Sequence, residues 1–203
     1  MFFEQAGSSF NFLAEKIVDR RLGGWTFPVA WFQSVNSVGI ILLAPVVAWI
    51  WIKLGRANPS IPRKFGLGLT FNGLAFLLLM FALSNLVSDG GKIPFWTLIA
   101  TYVIQVVGEL CLSPIGLSMV TKLAAPKNVG LSMGGWFLAT AVANYLAGRI
   151  SAIASGGGGH GEAASSLAQY SQTFTMLIWA GLIVGGIYFL FAPLINKLMH
   201  GVK

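Results

Sequence analysis

The sequence predicts an all-α integral membrane protein whose helices cross the bilayer several times. Of its 203 residues, 56% are hydrophobic and only 9% are charged, whereas an ordinary soluble domain has about 25% charged residues. Long stretches without Asp, Glu, Lys or Arg recur, and each reaches the roughly 20 apolar residues that a spanning helix needs. They are residues 22–52, 65–88, 128–148 and 163–196, together with 93–121, which only Glu109 interrupts. Because a backbone in lipid must satisfy its own hydrogen bonds, such stretches form helices.

The chain opens with a short segment, Met1–Ala14, whose 14 residues are too few to cross a bilayer core. We therefore expect a first helix that is truncated at its start, and a chain that is a fragment of a longer protein. Five full helices are predicted next, near Pro28–Leu54, Phe65–Val87, Pro94–Thr121, Val129–Ala154 and Tyr170–Asn196. Turn residues separate them in order: Asn58-Pro59 with Ile61-Pro62, then Asp89-Gly90-Gly91, then Ala125-Pro126-Lys127, and last Gly156 to Gly159.

The charges between the helices predict the orientation. One set of helix ends carries eight cations and no acid, and the opposite set carries five cations; the eight are Lys53, Arg56, Arg63, Lys64, Lys122, Lys127, Lys197 and Lys203. The positive-inside rule places the first set in the cytosol. We therefore expect a multi-pass protein of the cell inner membrane with a cytoplasmic C-terminus.

Several classes of protein are excluded. The net charge of +7 comes from cations scattered between helices, whereas a nucleic-acid partner requires them on one face. Cys111 is the single cysteine, so there is no disulfide framework. His160 and His200 lack a second ligand at metal spacing, which argues against a metal site. No nucleophile with a neighbouring base is present, so we expect no enzyme.

Glu109 is the strongest candidate for a functional residue. It lies near the middle of the predicted helix Pro94–Thr121, where an ionised carboxylate costs several kcal/mol. Ser113-Pro114 follows about one turn later, and a proline there frees a backbone carbonyl. A polar residue beside a broken turn is typical of transporter sites at the membrane midplane. The alternative is a structural carboxylate bonded to a neighbouring helix.

Three further polar or aromatic residues have two interpretations each. Glu4 shares a helical face with Ser8 and Asn11; it could take up a proton if the helix continues upstream, and it is an interfacial acid if Met1 is the true start. Asn36 in a membrane helix is most often an interhelical contact, worth ~0.6 kcal/mol. Trp136 lies deeper than an interfacial belt needs, which favours packing over ligand contact.

Five segments of the chain resemble the proton-dependent oligopeptide transporters. The segments are FEQAGSS (3–9), WFQSVN (31–36), GELCLSPIGLS (108–118), TKLA (121–124) and GWFLA (135–139). The resemblance implies a major-facilitator fold of twelve helices, of which residues 1–203 are the C-terminal six-helix bundle, helices seven to twelve. The N-terminal bundle is absent from this chain.

The same resemblance implies roles for individual residues. Glu109 matches the acid that holds the amino terminus of the peptide, and Asn36 matches an asparagine that assists it, although the family usually follows that asparagine with proline where this chain has Ser37. Ser113 and Trp136 match pocket positions. Glu4 matches an acid linked to proton coupling.

The expected function is therefore proton-coupled symport of di- and tripeptides, with protons as the coupling ion and no cofactor. The family's Glu-x-x-Glu-Arg pattern and the cations that hold the peptide carboxylate are not in this chain. Its partners would be the peptide, the lipid bilayer and an N-terminal transporter half, and the chain alone should not transport. Two alternatives stay open: a same-fold transporter of nitrate or an amine-like compound, and a non-transporting membrane protein that docks a partner.

Overall fold

The computed structural model describes residues 4–5, 9–88, 90–154 and 163–199, and helices dominate it. They are α1 (Ser9–Lys16), α2 (Trp31–Leu54), α3 (Ile61–Asn85), α4 (Phe95–Leu123), α5 (Val129–Ala154) and α6 (Ala163–Leu198). In the described part of the chain, four segments are long and apolar enough to cross a membrane: α2 continued to Ala57, α3, α4, and α6 from Tyr170 onward. The predicted all-α membrane class is confirmed.

One predicted span, α5, differs from the other four. Its 26 residues match the predicted length, but it is not among the segments that reach the hydropathy of a membrane span. Glycine, serine, threonine and asparagine replace many of its aliphatic residues. Length and absence of charge predicted the helix correctly, and its composition distinguishes it from its neighbours.

The largest boundary differences concern α3 and α6. Helix α3 begins at Ile61 rather than Phe65, because Pro62 lies in its first turn and does not belong to the preceding loop; proline favours this position, where its missing N–H costs nothing. Helix α6 begins at Ala163 rather than Tyr170. The earlier start of α3 puts Arg63 and Lys64 on the helix.

Two small sheets at one end of the bundle are not predicted from the sequence. Strand β1 (Val18–Asp19) pairs in parallel with β4 (Ile93–Pro94), and β2 (Arg21–Leu22) pairs antiparallel with β3 (Trp25–Thr26). The β2–β3 hairpin turns at Gly23 and Gly24, whose φ angles of 58° and 100° favour glycine. The β1–β4 sheet connects the segment after α1 to the segment that precedes α4, whereas β2–β3 is a local hairpin.

Glycines allow α3 and α6 to pack closely. A Cβ on Gly66 would lie 2.9 Å from the Phe189 ring, and a Cβ on Gly185 would lie 2.9 Å from the Thr70 hydroxyl oxygen. A Cβ on Gly181 would lie 3.3 Å from Gly73 Cα. Small residues at such a crossing are the usual means by which membrane helices gain packing energy, because lipid offers little hydrophobic drive for their association.

An aromatic core joins α1 to α3, α4 and α6. Phe10 is fully buried, and its ring centroid lies 5.5 Å from that of Tyr102, 5.7 Å from that of Phe76 and 6.3 Å from that of Phe174. The three pairs have edge-to-face geometry, which aromatic quadrupoles prefer. This core fixes α1 at the same end of the bundle as the two sheets.

Helices α2 and α5 leave most of their surface uncovered. Only Phe32 and Val47 are buried in α2, and Ala147 and Ser151 are the buried residues among the described side chains of α5. These helices flank α4 and present large exposed apolar side chains, such as Ile52 and Leu131. Apolar surface on this scale calls for lipid or another protein surface as cover.

Candidate functional site

Glu109 lies on α4, half-buried, at a point where three parts of the chain meet. The side chain of Asn36 on α2 is within hydrogen-bonding reach of the Glu109 carboxylate, and Glu4 is close enough to interact with it electrostatically. The amide of Asn36 can donate a hydrogen bond to the carboxylate and so stabilise its charged form. Three of the predicted site residues therefore lie together.

A glycine explains why α2 approaches α4 closely enough for this contact. A Cβ added to Gly39 would lie 3.1 Å from a methyl carbon of Val106. Gly39 follows Asn36 by about one helical turn, and Val106 precedes Glu109 by the same interval. Any larger residue at Gly39 would push the helices apart beside the Asn36–Glu109 contact.

The backbone directly before Glu109 packs against α3. A Cβ on Gly108 would lie 2.8 Å from the carbonyl oxygen of Gly68, and a Cβ on Gly68 would lie 2.8 Å from the carbonyl oxygen of Gly108. Asn72, fully buried, lies at the same crossing and donates a hydrogen bond of 2.9 Å to the Gly68 carbonyl. This reciprocal backbone contact sets the depth and rotation of α4 at Glu109.

A cavity of about 640 Å³ opens between α2, α3 and α4, and Glu109 lies in its wall. This size is within the range of small-molecule sites. Its walls are mainly apolar, and its polar side chains are Lys64, Glu109, Ser113 and Ser118. A few polar groups in an apolar cleft fix the orientation of a ligand, which is the arrangement of a binding site.

The charge of Glu109 has no cationic partner within the described part of the chain. Lys64 lines the same cavity, yet no ion pair joins it to Glu109. The Lys64 ammonium lies instead over the Trp51 ring, 4.9 Å from its centroid. A carboxylate in an apolar cavity with one amide neighbour and no counter-ion is suited to bind a cation from outside.

Ser113 and Pro114 also line the cavity. Pro114 lies inside α4 and has no N–H to donate to the carbonyl of Leu110. The Ser113 hydroxyl, about one turn from Glu109, and the carbonyl of Leu110, the next residue, add hydrogen-bonding groups near the carboxylate.

Trp136 on α5 packs against α4 rather than lining the cavity. A Cβ on Gly116 would overlap the tip of the Trp136 indole, so the ring lies directly on the α4 backbone. Trp136 is half-buried. Among the described residues its contact is therefore with the α4 backbone, and the ring covers the side of α4 that faces α5.

The polar start of the chain contacts α5. Gln5 is fully buried and donates a hydrogen bond of 3.3 Å to the carbonyl of Ala147, while Ser9 donates to Gln5 Oε1. Ser8, which the helical spacing places beside Glu4, lies outside the described residues. Gln5 thus attaches this segment to α5.

Lys64 and Trp51 are cavity residues that the sequence does not single out. The prediction left Lys64 in a loop, because it began α3 at Phe65. Pro62 was the available signal, since a proline in the first turn of a helix would have placed Lys64 on α3.

Metal chemistry has no support within the described ranges, where no group of three His, Cys, Asp or Glu side chains could hold an ion. His160 and His200 both lie outside those ranges.

Similarity to known proteins covers nearly the whole chain. The model of the POT family matches residues 1–166. The chain is 37% identical over 205 residues to Peptide transporter YePEPT of Yersinia enterocolitica, with 99% of this chain and 38% of that protein covered. It is 33% identical over 200 residues to Dipeptide and tripeptide permease A of Edwardsiella piscicida, with 98% and 40% covered. The chain thus spans about two fifths of the length of these relatives.

Solved structures with the same fold are also similar in sequence. A mutant of the peptide transporter POT in complex with alafosfalin has a TM-score of 0.83 and 35% identity, covering 98% of this chain and 39% of that one. A POT family transporter in complex with 5-aminolevulinic acid has a TM-score of 0.79 and 31% identity, covering 96% and 39%. The predicted resemblance and the transporter fold are confirmed. With the family model matched over residues 1–166 and the bundle superposing on POT structures, the chain belongs to the POT family.

Proposed function

We propose that this chain forms the C-terminal six-helix bundle, helices seven to twelve, of a proton-coupled symporter for di- and tripeptides. The observation that carries the proposal is the Glu109 carboxylate, which lies in a cavity beside Asn36 without a cationic partner from the described chain. The names of relatives support it, since they include a peptide transporter and a dipeptide and tripeptide permease.

A protonated peptide amino terminus supplies the cation that Glu109 lacks. Inside an apolar cavity the attraction between ammonium and carboxylate is much stronger than in water. Asn36 holds the carboxylate in position, and Ser113 with the freed Leu110 carbonyl can accept the remaining ammonium hydrogens. Trp136 is a pocket position by the family resemblance alone; in this chain its ring supports α4 at Gly116, within two turns of Glu109.

The carboxylate end of the peptide needs cations from a second bundle. Transporters of this architecture bind at the interface between two bundles and rock around that site. The uncovered faces of α2 and α5, on both sides of α4, provide apolar surface for an N-terminal half and for lipid. We further propose an inner-membrane location with the C-terminus in the cytosol, which the distribution of basic residues supports.

Proton coupling is assigned to Glu4. Its proximity to Glu109 means that the two carboxylates repel each other when both are ionised. Protonation of Glu4 removes that repulsion and leaves Glu109 as the charged partner of the ammonium. Because a proton and an ammonium compete for one pair of carboxylates, the coupling comes from conformation: protonation of Glu4 biases the two bundles toward a different opening.

The transport proposal is tested in a chimera in which this chain replaces the matching part of YePEPT. We expect proteoliposomes with the chimera to take up labelled dialanine when the outside is acidic. Vesicles with the 203-residue chain alone should take up none, because the second half of the site is missing. If the chimera took up nitrate but not dialanine, the alternative of a different substrate would be favoured. If the chain alone took up dialanine, the proposal that it carries only half of the binding site would be refuted.

Glu4→Gln should uncouple transport in the same chimera. Glutamine resembles the protonated acid in size and hydrogen bonding but cannot release a proton. We expect an imposed pH gradient no longer to drive accumulation of dialanine, while exchange of internal for external dialanine continues. Glu15→Gln, which neutralises an exposed carboxylate on α1, should leave gradient-driven accumulation intact. Equal accumulation in the Glu4 variant and the unmodified chimera would remove Glu4 from the coupling step.

A further inference from the structure

A second cavity lies at the opposite end of the bundle from the two small sheets, between the α2–α3 connection and the last turns of α6. Its volume is about 560 Å³. Four cations from three parts of the chain line it: Arg56, Arg63, Lys64 and Lys197. Basic residues that repel one another are held around one cavity here, so an anion in it would stabilise the arrangement.

No acidic side chain is among the described residues that line this cavity. The sequence has six acidic residues, and none occurs between Asp19 and Asp89 or after Glu162. The α2–α3 connection and α6 therefore contain no acidic side chain that could neutralise the four cations. A counter-ion for the cluster has to come from beyond these segments.

Hydrogen-bonding groups in the wall fit a phosphate. Asn58, Ser60 and Asn196 line the cavity beside the cations. Ser60 precedes α3 with extended backbone geometry (φ −62°, ψ 159°) and makes no side-chain capping bond. The free N–H groups and the positive dipole end of this 25-residue helix therefore face the cation cluster, a combination that favours phosphate oxygens.

The position of the cavity favours a lipid as the source of the phosphate. It lies where two helices apolar enough to span the membrane, α3 and α6, reach the same end. The rest of its wall has no polar side chain: Gly55, Pro59, Ile61, Ala192 and Pro193. Basic residues at this end are also those that the positive-inside rule places in the cytosol, where anionic lipids attract clusters of Lys and Arg.

We infer that this cavity, with Arg63 and Lys197 on its two sides, binds the phosphate group of an anionic phospholipid. The headgroup sits among the four cations and the α3 N-terminus, and its acyl chains lie along α3 and α6. This site is separate from the Glu109 cavity apart from Ile61 and Lys64, which line both.

The test compares lipid binding to the 203-residue chain and to Arg63→Gln/Lys197→Gln. Both side chains are exposed, so the double variant should fold, and circular dichroism checks that it does. Native mass spectrometry measures phosphatidylglycerol bound from nanodiscs that also contain phosphatidylcholine. We expect the double variant to bind phosphatidylglycerol roughly 30-fold more weakly, with phosphatidylcholine unaffected.

A matched control separates the site from general surface charge. Lys122→Gln/Lys127→Gln removes the same charge at the α4–α5 connection, outside the cavity, and should weaken binding only slightly. Arg63→Lys/Lys197→Arg keeps the charge and should restore binding. The proposal would be overturned if Arg63→Gln/Lys197→Gln and Lys122→Gln/Lys127→Gln weakened phosphatidylglycerol binding equally, or if neither weakened it.

A second arm identifies the source of the phosphate. Inorganic phosphate is titrated against the detergent-purified chain and against chain with bound phosphatidylglycerol. Failure of millimolar phosphate to displace the lipid supports the lipid assignment. Displacement that depends on Arg63 and Lys197 would overturn it in favour of a soluble phosphate.

Discussion

Glu109→Gln is expected to remove recognition of the free amino terminus of a peptide. In the YePEPT chimera the affinity for dialanine should fall roughly 30-fold or more, the typical effect of removing one partner from a desolvated charge pair. The reason is local, since the described chain supplies no other carboxylate in that cavity. Isothermal titration with dialanine, and uptake in proteoliposomes, measure the effect.

N-acetyl-dialanine is the control ligand for this prediction. It lacks the ammonium, so it should bind the unmodified chimera weakly and bind Glu109→Gln no more weakly. Glu15→Gln should leave dialanine affinity unchanged, which excludes a general effect of net charge. If Glu109→Gln weakened the binding of dialanine and of N-acetyl-dialanine by the same factor, Glu109 would be a structural carboxylate bonded to a neighbouring helix.

Gly108→Ala is expected to destabilise the bundle and to displace Glu109 at the same time. The new methyl group would lie 2.8 Å from the Gly68 carbonyl oxygen and 2.8 Å from the Asn72 side-chain amide. Backbone atoms cannot rotate away, so α3 and α4 must separate, at a cost of about 1–3 kcal/mol for an overpacked contact. Denaturation of the 203-residue chain in detergent measures the loss, and dialanine binding to the chimera should weaken with it.

Gly186→Ala is the matched control, because a Cβ there meets nothing within 4 Å. An alanine in the open face of α6 should raise stability by about 0.5–1 kcal/mol, since it restricts the unfolded chain. The two substitutions add the same methyl group, and their effects on the free energy of unfolding should have opposite signs. A stabilised Gly108→Ala variant would show that α3 and α4 do not approach each other as closely as the Gly68–Gly108 contact requires.

Composition and the recurrence of long uncharged stretches were sufficient to predict the membrane class and the helices. Hydropathy is a sum over residues that are neighbours in the sequence, so it predicts membrane helices without knowledge of the tertiary structure. The same reasoning left Lys64 in a loop and missed both sheets, because Pro62 and the Gly23-Gly24 turn act through backbone geometry at single positions. It predicted α5 with its observed bounds, Val129–Ala154, although the composition of that helix differs from that of its neighbours.

For the site, the sequence by itself determined that Glu109 is a charge in the middle of a membrane helix and that its surrounding segment resembles one family. Only the tertiary structure decided which side chains meet it. Glu4 and Asn36 are far from Glu109 in the chain. Glu4 lies in the segment that Gln5 attaches to Ala147 on α5, and Asn36 reaches Glu109 because Gly39 lets α2 approach α4. Trp136 meets Gly116 for the same reason, and the basic cavity exists because α6 returns to the start of α3. Burial and charge can be read along a chain, but the approach of two helices depends on which faces pack, and a local pattern does not specify that.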